Sequence, residues 1–206
     1  MSNIFDLFKK IEKKEDTAPL CFIIAGLGNP GREYEATRHN VGFLAVDYIA
    51  AAYGVRIDRA KFHALVGEGR IGEKRVLFMK PETYMNNSGE AVADAARFYG
   101  IAPENVLVFC DDISFEPGRI RIRRAGSHGG HNGLRSIVAH LGSSDFPRVK
   151  IGVGQKPLGW DLADWVLSRL PDADLDAVRK RHADMIETAK LVVSGGIDDA
   201  MSRYSS

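Results

Sequence analysis

Residues 20–31 read LCFIIAGLGNPG, an apolar run followed by a turn with the spacing G-x-G-x-x-G. The run has the length and composition of a buried strand. The turn is typical of a dinucleotide-binding loop, in which the third glycine opens a helix whose N-terminus holds the pyrophosphate. Here Pro30 lies between the second and third glycines and restricts Asn29 to extended geometry. The stretch therefore predicts a strand and a turn, without the helix start that a dinucleotide site needs.

The segment after the turn also disfavours a nicotinamide cofactor. Residues 32–40, REYEATRHN, lack helical apolar spacing, and the next periodic run begins near Val41. A dinucleotide site also needs an acidic residue at the end of the second strand, about 20 residues further on. The chain has no predicted strand ending in Asp or Glu at that distance. An NAD-dependent oxidoreductase is therefore disfavoured, and no cofactor is expected.

Predicted strands and helices alternate along the rest of the chain. The predicted strands lie near 20–26, 64–71, 75–80, 106–110, 118–124 and 149–154, and the predicted helices near 40–53, 88–99, 131–141, 161–169 and 172–194. This alternation predicts an α/β fold, as a single-domain three-layer α/β/α sandwich with a mixed, largely parallel twisted sheet. Residues 1–18 are predicted to form an amphipathic N-terminal extension and linker, and residues 19–206 the domain.

Composition excludes several classes of protein. The chain has 206 residues, of which 45% are apolar, which suits one domain with a full core. Two cysteines provide neither a disulfide framework nor a cysteine metal site. The sequence has no apolar stretch of membrane-spanning length and no signal-peptide core, so a cytoplasmic protein without membrane contact is expected. The net charge of +1 gives no overall attraction to nucleic acid.

Polar residues are concentrated in loops that are expected to meet at one edge of the sheet. Ligands of open α/β sheets bind outside the carboxyl ends of the strands. The candidate side chains in these loops are Asn29, Tyr34, His39, Tyr84, Asn86, Asn87, Asp111, Asp112, His128, His131 and Asn132. Gly- and Asn-rich loops of this kind let the backbone and short amides approach a ligand closely. The sequence therefore predicts a polar site at this edge.

The predicted site contains His, Asp and Asn but has no convincing nucleophile, since the sequence lacks a G-x-S-x-G elbow. That favours water activated by a histidine, with a carboxylate orienting the imidazole and amides steadying an oxyanion. Other interpretations remain open. His39 can simply cap the following helix, and Asp111 or Asp112 can begin a turn. The histidines of HGGH (128–131), with one of these aspartates, can instead hold a metal.

Residues 118–124, GRIRIRR, alternate cleanly between basic and apolar side chains. Arg119, Arg121 and Arg123 are expected on one face of a strand, about 6.6 Å from one to the next. Such a row suits phosphate because the guanidinium fork binds two oxygens. Arg135, Arg148 and Lys150 are candidates to extend this phosphate track. The alternative is an exposed edge strand that is protected from aggregation by its charges.

Four segments together resemble bacterial peptidyl-tRNA hydrolase. They read GLGNPGREYEATRHNVGF (26–43), KPETYMNNSGEAV (80–92), CDDISFEPGRIRIRRAGSHGGHNGLRSI (110–137) and FPRVKIGVG (146–154). The resemblance runs from about Leu20 to the C-terminus, with the motifs in the family's order. It implies cleavage of the ester that joins an N-blocked peptide to the 3′-terminal ribose of tRNA, which recycles tRNA after aborted translation. It also implies a monomer that needs no metal.

The resemblance also implies roles for individual residues. His39 matches the general base, Asp111 the carboxylate that orients it, and Asn29 the residue that separates peptidyl-tRNA from free aminoacyl-tRNA. The positions that match substrate and tRNA binding are Tyr34, Tyr84, Met85, Asn86, His131, Asn132, Arg121, Arg123 and Lys150. Cys110 stands where the family often has His, and Lys150 where Arg is common. A metal-dependent hydrolase and a noncatalytic tRNA-binding protein remain the alternative functions.

Overall fold

The computed structural model describes residues 18–205. The predicted N-terminal extension therefore lies, apart from Ala18, outside the described residues. Within them the chain forms one seven-stranded sheet with helices packed on both faces. This arrangement confirms the predicted single-domain α/β/α sandwich with a mixed sheet.

The sheet has a parallel centre and antiparallel edges. Its strands are β1 (Leu20–Gly26), β2 (Arg59–Lys61), β3 (Ala64–Ile71), β4 (Lys74–Pro81), β5 (Val106–Asp112), β6 (Ile120–Arg123) and β7 (Arg148–Gly152). Their order is β2-β3-β4-β1-β5-β7-β6. The four central strands, β4, β1, β5 and β7, run parallel to one another, whereas β2, β3 and β6 add antiparallel pairs at the edges. The carboxyl ends of the central strands therefore meet at one edge, as the sequence pattern indicates.

Helices cover both faces of the sheet. They are α1 (Val41–Ala52), α2 (Ser88–Tyr99), α3 (Asn132–Leu141), α4 (Leu162–Leu167), α5 (Asp172–Arg179), α6 (His182–Val193) and α7 (Ile197–Tyr204). The cluster of buried residues on one face joins the sheet to α1, α5, α6 and α7. The cluster on the other face joins it to α2 and α3. Both faces of β5 are covered, which explains why all seven of its residues are buried.

The C-terminal helices differ from the sequence prediction. A single helix was predicted over 172–194, but the chain forms α5 and α6 there, and α7 and the short strand β2 were not predicted. Between α5 and α6 the backbone N–H of Arg181 donates a hydrogen bond to the carbonyl oxygen of Val178, three residues earlier. This tight turn ends α5. The segment has no Gly or Pro at this break, so composition does not reveal it. None of the helices between residues 18 and 205 has both the length and the apolar character needed to cross a membrane.

A close contact between glycines brings the start of α1 against the strand ends. A Cβ on Gly42 would lie 2.5 Å from the carbonyl oxygens of both Leu27 and Phe109, and a Cβ on Gly26 would lie 2.2 Å from the carbonyl oxygen of Gly42. No side chain fits at either position. The glycines thus let the loop before α1 sit directly over the ends of β1 and β5, where it delivers His39 to Asp111.

Candidate active site

A buried carboxylate lies between two imidazoles at the end of β5. The Nδ1 of His39, from the 3-10 turn Arg38–Asn40 that precedes α1, lies 2.7 Å from Oδ1 of Asp111. The Nε2 of His131, at the N-terminus of α3, lies 3.0 Å from the same oxygen. The two rings are tilted with their centroids 5.2 Å apart. We call His39, Asp111 and His131 the imidazole site.

The hydrogen-bond pattern assigns the proton positions on both imidazoles. The Nδ1 of His131 accepts a bond from the backbone N–H of Leu134 at 3.3 Å, so this ring carries its proton on Nε2 and donates it to Asp111. His39 donates its Nδ1 proton to the same carboxylate. The Nε2 of His39 is left with a lone pair, and His39 lines the pocket described below. This is the arrangement of an imidazole that can accept a proton from water.

Asp111 is ionised in this setting. Its side chain is only 2% exposed, and burial alone would raise its pKa. The charges and hydrogen bonds of His39 and His131 more than offset that desolvation, so the pKa of the Asp111 carboxyl lies well below its ordinary value. A carboxylate that stays charged holds the adjacent imidazole in one tautomer and stabilises it once it is protonated.

Asn29 is held by three hydrogen bonds, one to its side chain and two to its backbone. Its Oδ1 accepts a bond from the backbone N–H of Met85 at 2.7 Å. Its backbone N–H donates to Oδ1 of Asn40, and its carbonyl accepts from Nδ2 of Asn40, both at 2.9 Å. Because its oxygen is taken by Met85, the NH₂ group of the Asn29 side chain is the end available to a ligand. Asn40 was not singled out from the sequence, since its role depends on this reciprocal pairing.

These side chains line a pocket of about 740 Å³. Of the residues predicted from the sequence, the pocket wall includes Asn29, His39, Tyr84, Met85, Asn86, Asp111, His131, Asn132 and Lys150. Tyr34 lies outside the wall but contacts Tyr84 edge-on, with ring centroids 6.4 Å apart. Arg121 and Arg123 also lie outside the wall. The structure thus brings together most of the predicted polar site and leaves the arginines on a separate surface.

Comparison with known proteins connects this geometry to a family. The family model described as peptidyl-tRNA hydrolase matches residues 23–206. A peptidyl-tRNA hydrolase of Moorella thermoacetica is 49% identical over 187 residues, which cover 90% of this chain and 98% of the relative. One of Caldanaerobacter subterraneus subsp. tengcongensis is also 49% identical, over 89% of this chain and 99% of the relative. The chain belongs to the peptidyl-tRNA hydrolase family.

A solved structure of a peptidyl-tRNA hydrolase shares the fold as well. The crystal structure of the enzyme from Acinetobacter baumannii superposes with a TM-score of 0.85 and is 38% identical in sequence. The match covers 92% of this chain and 97% of the other. The resemblance stated from the sequence is therefore confirmed, and so is the class of enzyme.

Cys110 occupies a position without access to the site. The thiol is fully buried in the core beneath α2 and α3. Burial, reinforced by the neighbouring charge of Asp111, raises the pKa of Cys110 far above its ordinary value. The residue is therefore a neutral core side chain rather than a nucleophile.

Four cations lie on one face of the neighbouring strands β6 and β7. Arg121 is paired across the strands with Lys150, and Arg123 with Arg148. We call these four residues the cationic edge. The guanidinium of Arg121 lies 5.2 Å from the ring centroid of Phe115. Within residues 18–205, neither Arg121 nor Arg123 forms an ion pair with a carboxylate.

Arg148 does not extend a phosphate track, and that sequence expectation is wrong. Its side chain is buried, and its guanidinium donates hydrogen bonds to the carbonyl oxygens of Gly126, Ser127, Ser144 and Phe146. The same group lies 4.0 Å from the ring centroid of Phe146. Arg148 therefore ties two loops to the sheet and offers no free donor face to a ligand.

Lys150 has a carboxylate partner inside the pocket. Its Nζ lies 2.5 Å from Oδ2 of Asp112. The other oxygen of Asp112 accepts a bond from the backbone N–H of Ser114 at 2.7 Å. Burial opposes ionisation of Asp112, but the bonds from Lys150 and Ser114 outweigh it and lower the pKa of this carboxyl. The Asp112 side chain is therefore ionised.

One wall of the pocket is apolar, and the sequence pattern does not predict it. Leu162, Val166 and Leu167 of α4 line the pocket together with Ile113. The segment around α4 is anchored by Arg38, the residue before the general-base candidate. The Arg38 guanidinium donates to Oγ of Ser168 at 2.6 Å and stacks 3.6 Å above the ring of Trp165. The amphipathic pattern of residues 161–169 predicts a helix, but it does not indicate which cavity that helix borders.

Proposed function

We propose that this protein hydrolyses the ester bond between an N-blocked peptide and the 3′-terminal ribose of tRNA, releasing free tRNA and peptide. Membership in the peptidyl-tRNA hydrolase family supports the substrate. The single observation that carries the mechanism is the 2.7 Å contact between Nδ1 of His39 and Asp111, which leaves Nε2 of His39 as the basic nitrogen in the pocket.

The reaction proceeds through two proton transfers at His39. Its Nε2 takes a proton from water as the water oxygen attacks the ester carbonyl carbon, and the carbonyl oxygen becomes an oxyanion. The tetrahedral intermediate then collapses, the bond to the ribose oxygen breaks, and the imidazolium returns the proton to that oxygen. Asp111 remains ionised throughout and stabilises the charged imidazole. The products are a peptide carboxylic acid and a tRNA with a free ribose hydroxyl.

Asn29 distinguishes N-blocked from free aminoacyl substrates. The NH₂ of its side chain is a donor, because its oxygen is occupied by the Met85 amide. An N-blocked residue presents the carbonyl of its peptide bond, which accepts such a hydrogen bond. A free aminoacyl group presents an ammonium instead, which has only donors and leaves the buried amide unmatched. Asn29 thus favours peptidyl-tRNA.

The other pocket residues position the substrate, and three residues of the cationic edge, all but the buried Arg148, bind tRNA. Asn132, whose Oδ1 is taken by Arg135 at 2.8 Å, offers its NH₂ group to the ester region, as Asn86 does from the opposite loop. The remaining proposed substrate contacts are Tyr34, Tyr84, Met85 and His131. Arg121, Arg123 and Lys150 meet phosphates of the acceptor stem. The protein is proposed to act as a monomer in the cytoplasm.

The decisive experiment uses N-acetyl-aminoacyl-tRNA and protein freed of metal by a chelator. Release of the N-acetyl amino acid is expected from the wild-type protein, together with little release from unblocked aminoacyl-tRNA. Binding of tRNA without release would refute the hydrolase and favour a noncatalytic tRNA-binding protein. Equal cleavage of both substrates would refute the role of Asn29 as the selector.

A metal-dependent hydrolase is the second candidate, and one observation favours it. Ligand atoms of His39, Asp111 and His131 all lie within 4.8 Å of one another. Against it, both imidazoles direct protonated nitrogens at the carboxylate, and these would have to lose their protons to bind a metal. The metal hypothesis predicts loss of hydrolysis after chelation and its return with stoichiometric zinc or manganese. Full activity in the metal-free protein would exclude it.

A further inference from the structure

The carboxylate of Asp112 is held firmly against Lys150 at the wall of the pocket. One oxygen lies 2.5 Å from the Lys150 ammonium, and the other is fixed by the backbone N–H of Ser114. The side chain of Asp112 is 6% exposed, and that of Lys150 is 21% exposed. The pair is therefore partly desolvated, and its attraction is stronger than that of an exposed surface pair.

Lys150 differs in this respect from its neighbours on the cationic edge. Arg121 lies directly opposite Lys150 on the adjacent strand, yet it has no carboxylate partner within residues 18–205. Arg123, two residues further along the same strand, is likewise without one in that part of the chain. Of the three cations proposed to meet tRNA phosphates, Lys150 alone has a carboxylate partner in the part of the chain that the structure describes.

We infer that Asp112 is an intramolecular competitor of tRNA phosphate for Lys150, and thereby sets how tightly the protein holds tRNA. The inference rests on the proposed function, since it assumes that tRNA phosphates approach the cationic edge. A phosphate that reaches Lys150 must either displace the Asp112 carboxylate or share the ammonium with it at close range. Both options weaken the contact, because the first leaves a mostly buried carboxylate unpaired and the second places two anions together.

This arrangement suits a hydrolase whose product keeps every phosphate of its substrate. Cleavage of the ester removes the peptide but leaves the tRNA unchanged at its phosphates, so contacts to phosphate bind product as well as substrate. A carboxylate that competes for one cation lowers the affinity for both and favours release of the tRNA product. Asp112 thus sets the affinity for the tRNA part of the substrate, separately from the chemistry at Asp111.

The test measures binding of deacylated tRNA over a range of salt concentrations. In Asp112→Asn the amide oxygen can still accept the Ser114 bond, but the charge that holds Lys150 is gone. We expect tighter binding and a slope of log K against log salt that is steeper by about 0.7–0.9, as for one additional phosphate contact. The double variant Asp112→Asn with Lys150→Met should lose this gain. Asp176→Asn, which breaks the exposed pair with Arg179 on α5, is the control for the same change in net charge.

Unchanged or weaker binding by Asp112→Asn, with a wild-type slope, would overturn the inference. An equal gain in Asp176→Asn would also overturn it, since net charge alone would then explain the effect. If Asp112→Asn fails to fold, Lys150→Met in the otherwise wild-type protein provides the test: a slope change well below 0.7 supports competition, and a full loss of about 0.7–0.9 contradicts it. A wild-type protein that neither binds nor hydrolyses its tRNA substrate would instead refute the proposed function.

Discussion

The imidazole site and the cationic edge lie at neighbouring parts of the same sheet but are built in opposite ways. At the imidazole site, one buried carboxylate oxygen accepts bonds from two imidazoles, and the carboxylate is fully ionised. On the cationic edge, four basic side chains share one face, but Arg148 is buried, whereas Arg121 and Arg123 have no carboxylate partner within residues 18–205. At the imidazole site, hydrogen bonds fix the positions of the imidazole protons. On the cationic edge, the four cations differ in burial and in their partners.

The difference shows that residue type predicts a role only where the surroundings leave few options. A histidine and an aspartate at converging strand ends can form the same pair in almost any such fold. An arginine at an alternating position can instead bind phosphate, stack on a ring or hold a loop, and the strand pattern does not distinguish these outcomes. The following predictions test each side of this comparison.

The largest effect is expected at the imidazole site. His39→Ala removes the proposed general base and should lower turnover of N-acetyl-aminoacyl-tRNA by ~10²–10⁴. Binding of tRNA should survive, because the cationic edge is unchanged. Single-turnover hydrolysis and a filter-binding assay measure the two properties separately. His63→Ala, at an exposed histidine outside the pocket wall, is the matched control. Near-native hydrolysis by His39→Ala would remove the basis for the mechanism.

A second substitution tests whether His39 and Asp111 act as one unit. Asp111→Asn replaces the acceptor of the His39 proton by an amide and should leave His39 in the wrong tautomer, with a fall in turnover of the order of 10² or more. The double variant with His39→Ala should be no slower than His39→Ala alone, because the carboxylate acts through the imidazole. Additive losses measured in the four proteins of this cycle would mean that the two residues act independently.

On the cationic edge, the largest effect is expected on stability. Arg148→Met leaves several inward-facing carbonyls without their donor and should lower the free energy of unfolding by about 3 kcal/mol. Its tRNA affinity under conditions where it is folded should stay close to wild type. Urea denaturation, with the exposed Arg203→Met as reference, measures the loss. A stable Arg148→Met variant with weakened tRNA binding would show that Arg148 is a phosphate ligand after all.

Arg121, which is exposed, and Arg123, which is half-buried, should behave in the opposite way. Arg121→Ala combined with Arg123→Ala should leave the free energy of unfolding nearly unchanged and weaken tRNA binding. The slope of log K against log salt should become shallower by about 1.4–1.8, which corresponds to two phosphate contacts. An unchanged slope would mean that these side chains only protect the edge strand β6 from aggregation.

His182 provides a contrast to the imidazoles that have a carboxylate. It stacks on Tyr48 with ring centroids 3.5 Å apart, and its buried Nε2 has no hydrogen-bond partner among the described residues, 18–205. Burial, with help from Arg179, lowers its pKa from 6.5 to about 4. The unfolded chain therefore binds this proton first, and stability should fall as the pH drops from about 6.5 toward 4.

The size of that loss is measured by comparing denaturation at pH 7 and pH 5. After a discount for partial exposure, His182 should account for about 1 kcal/mol of the difference. His182→Phe keeps the stacking and cannot be protonated, so its stability should depend less on pH over this range. An equal pH dependence in both proteins would show that other groups cause it.

Much of the fold was predictable because it depends on short apolar runs. The run at 106–110 predicts β5, although the strand continues to Asp112 because Asp111 and Asp112 also pair with Ile151 and Gly152 of β7. That extension depends on a neighbouring strand and cannot be read from the run itself. The break between α5 and α6 could not be predicted for a similar reason. It depends on the backbone hydrogen bond from Arg181 to Val178, which requires no particular residue type.

The candidate site was predictable in its residue types but not in its contacts. The sequence indicated that His39 and Asp111 would converge, because both follow strands or precede helices at the same edge. It did not indicate that Asn40 fixes Asn29, or that Asp112 holds Lys150, since each depends on distances of less than 3 Å between distant segments. The alternation of 118–124 gave the face of the arginines correctly, but alternation does not tell which loops cover the neighbouring Arg148.

Arg38 links the turn that carries His39 to α4, the helix at the apolar wall of the pocket. It precedes His39 in the same turn. Its guanidinium donates hydrogen bonds to the carbonyl oxygens of Val153 and Arg169 and stacks on the ring of Trp165. Arg38 therefore ties α4, whose leucine and valine side chains border the pocket, to the turn that carries His39. A shift of that helix is transmitted to the turn of His39 through the Arg38 side chain and through the backbone hydrogen bonds that join Ala36 and Arg38 to Leu170 and Ser168.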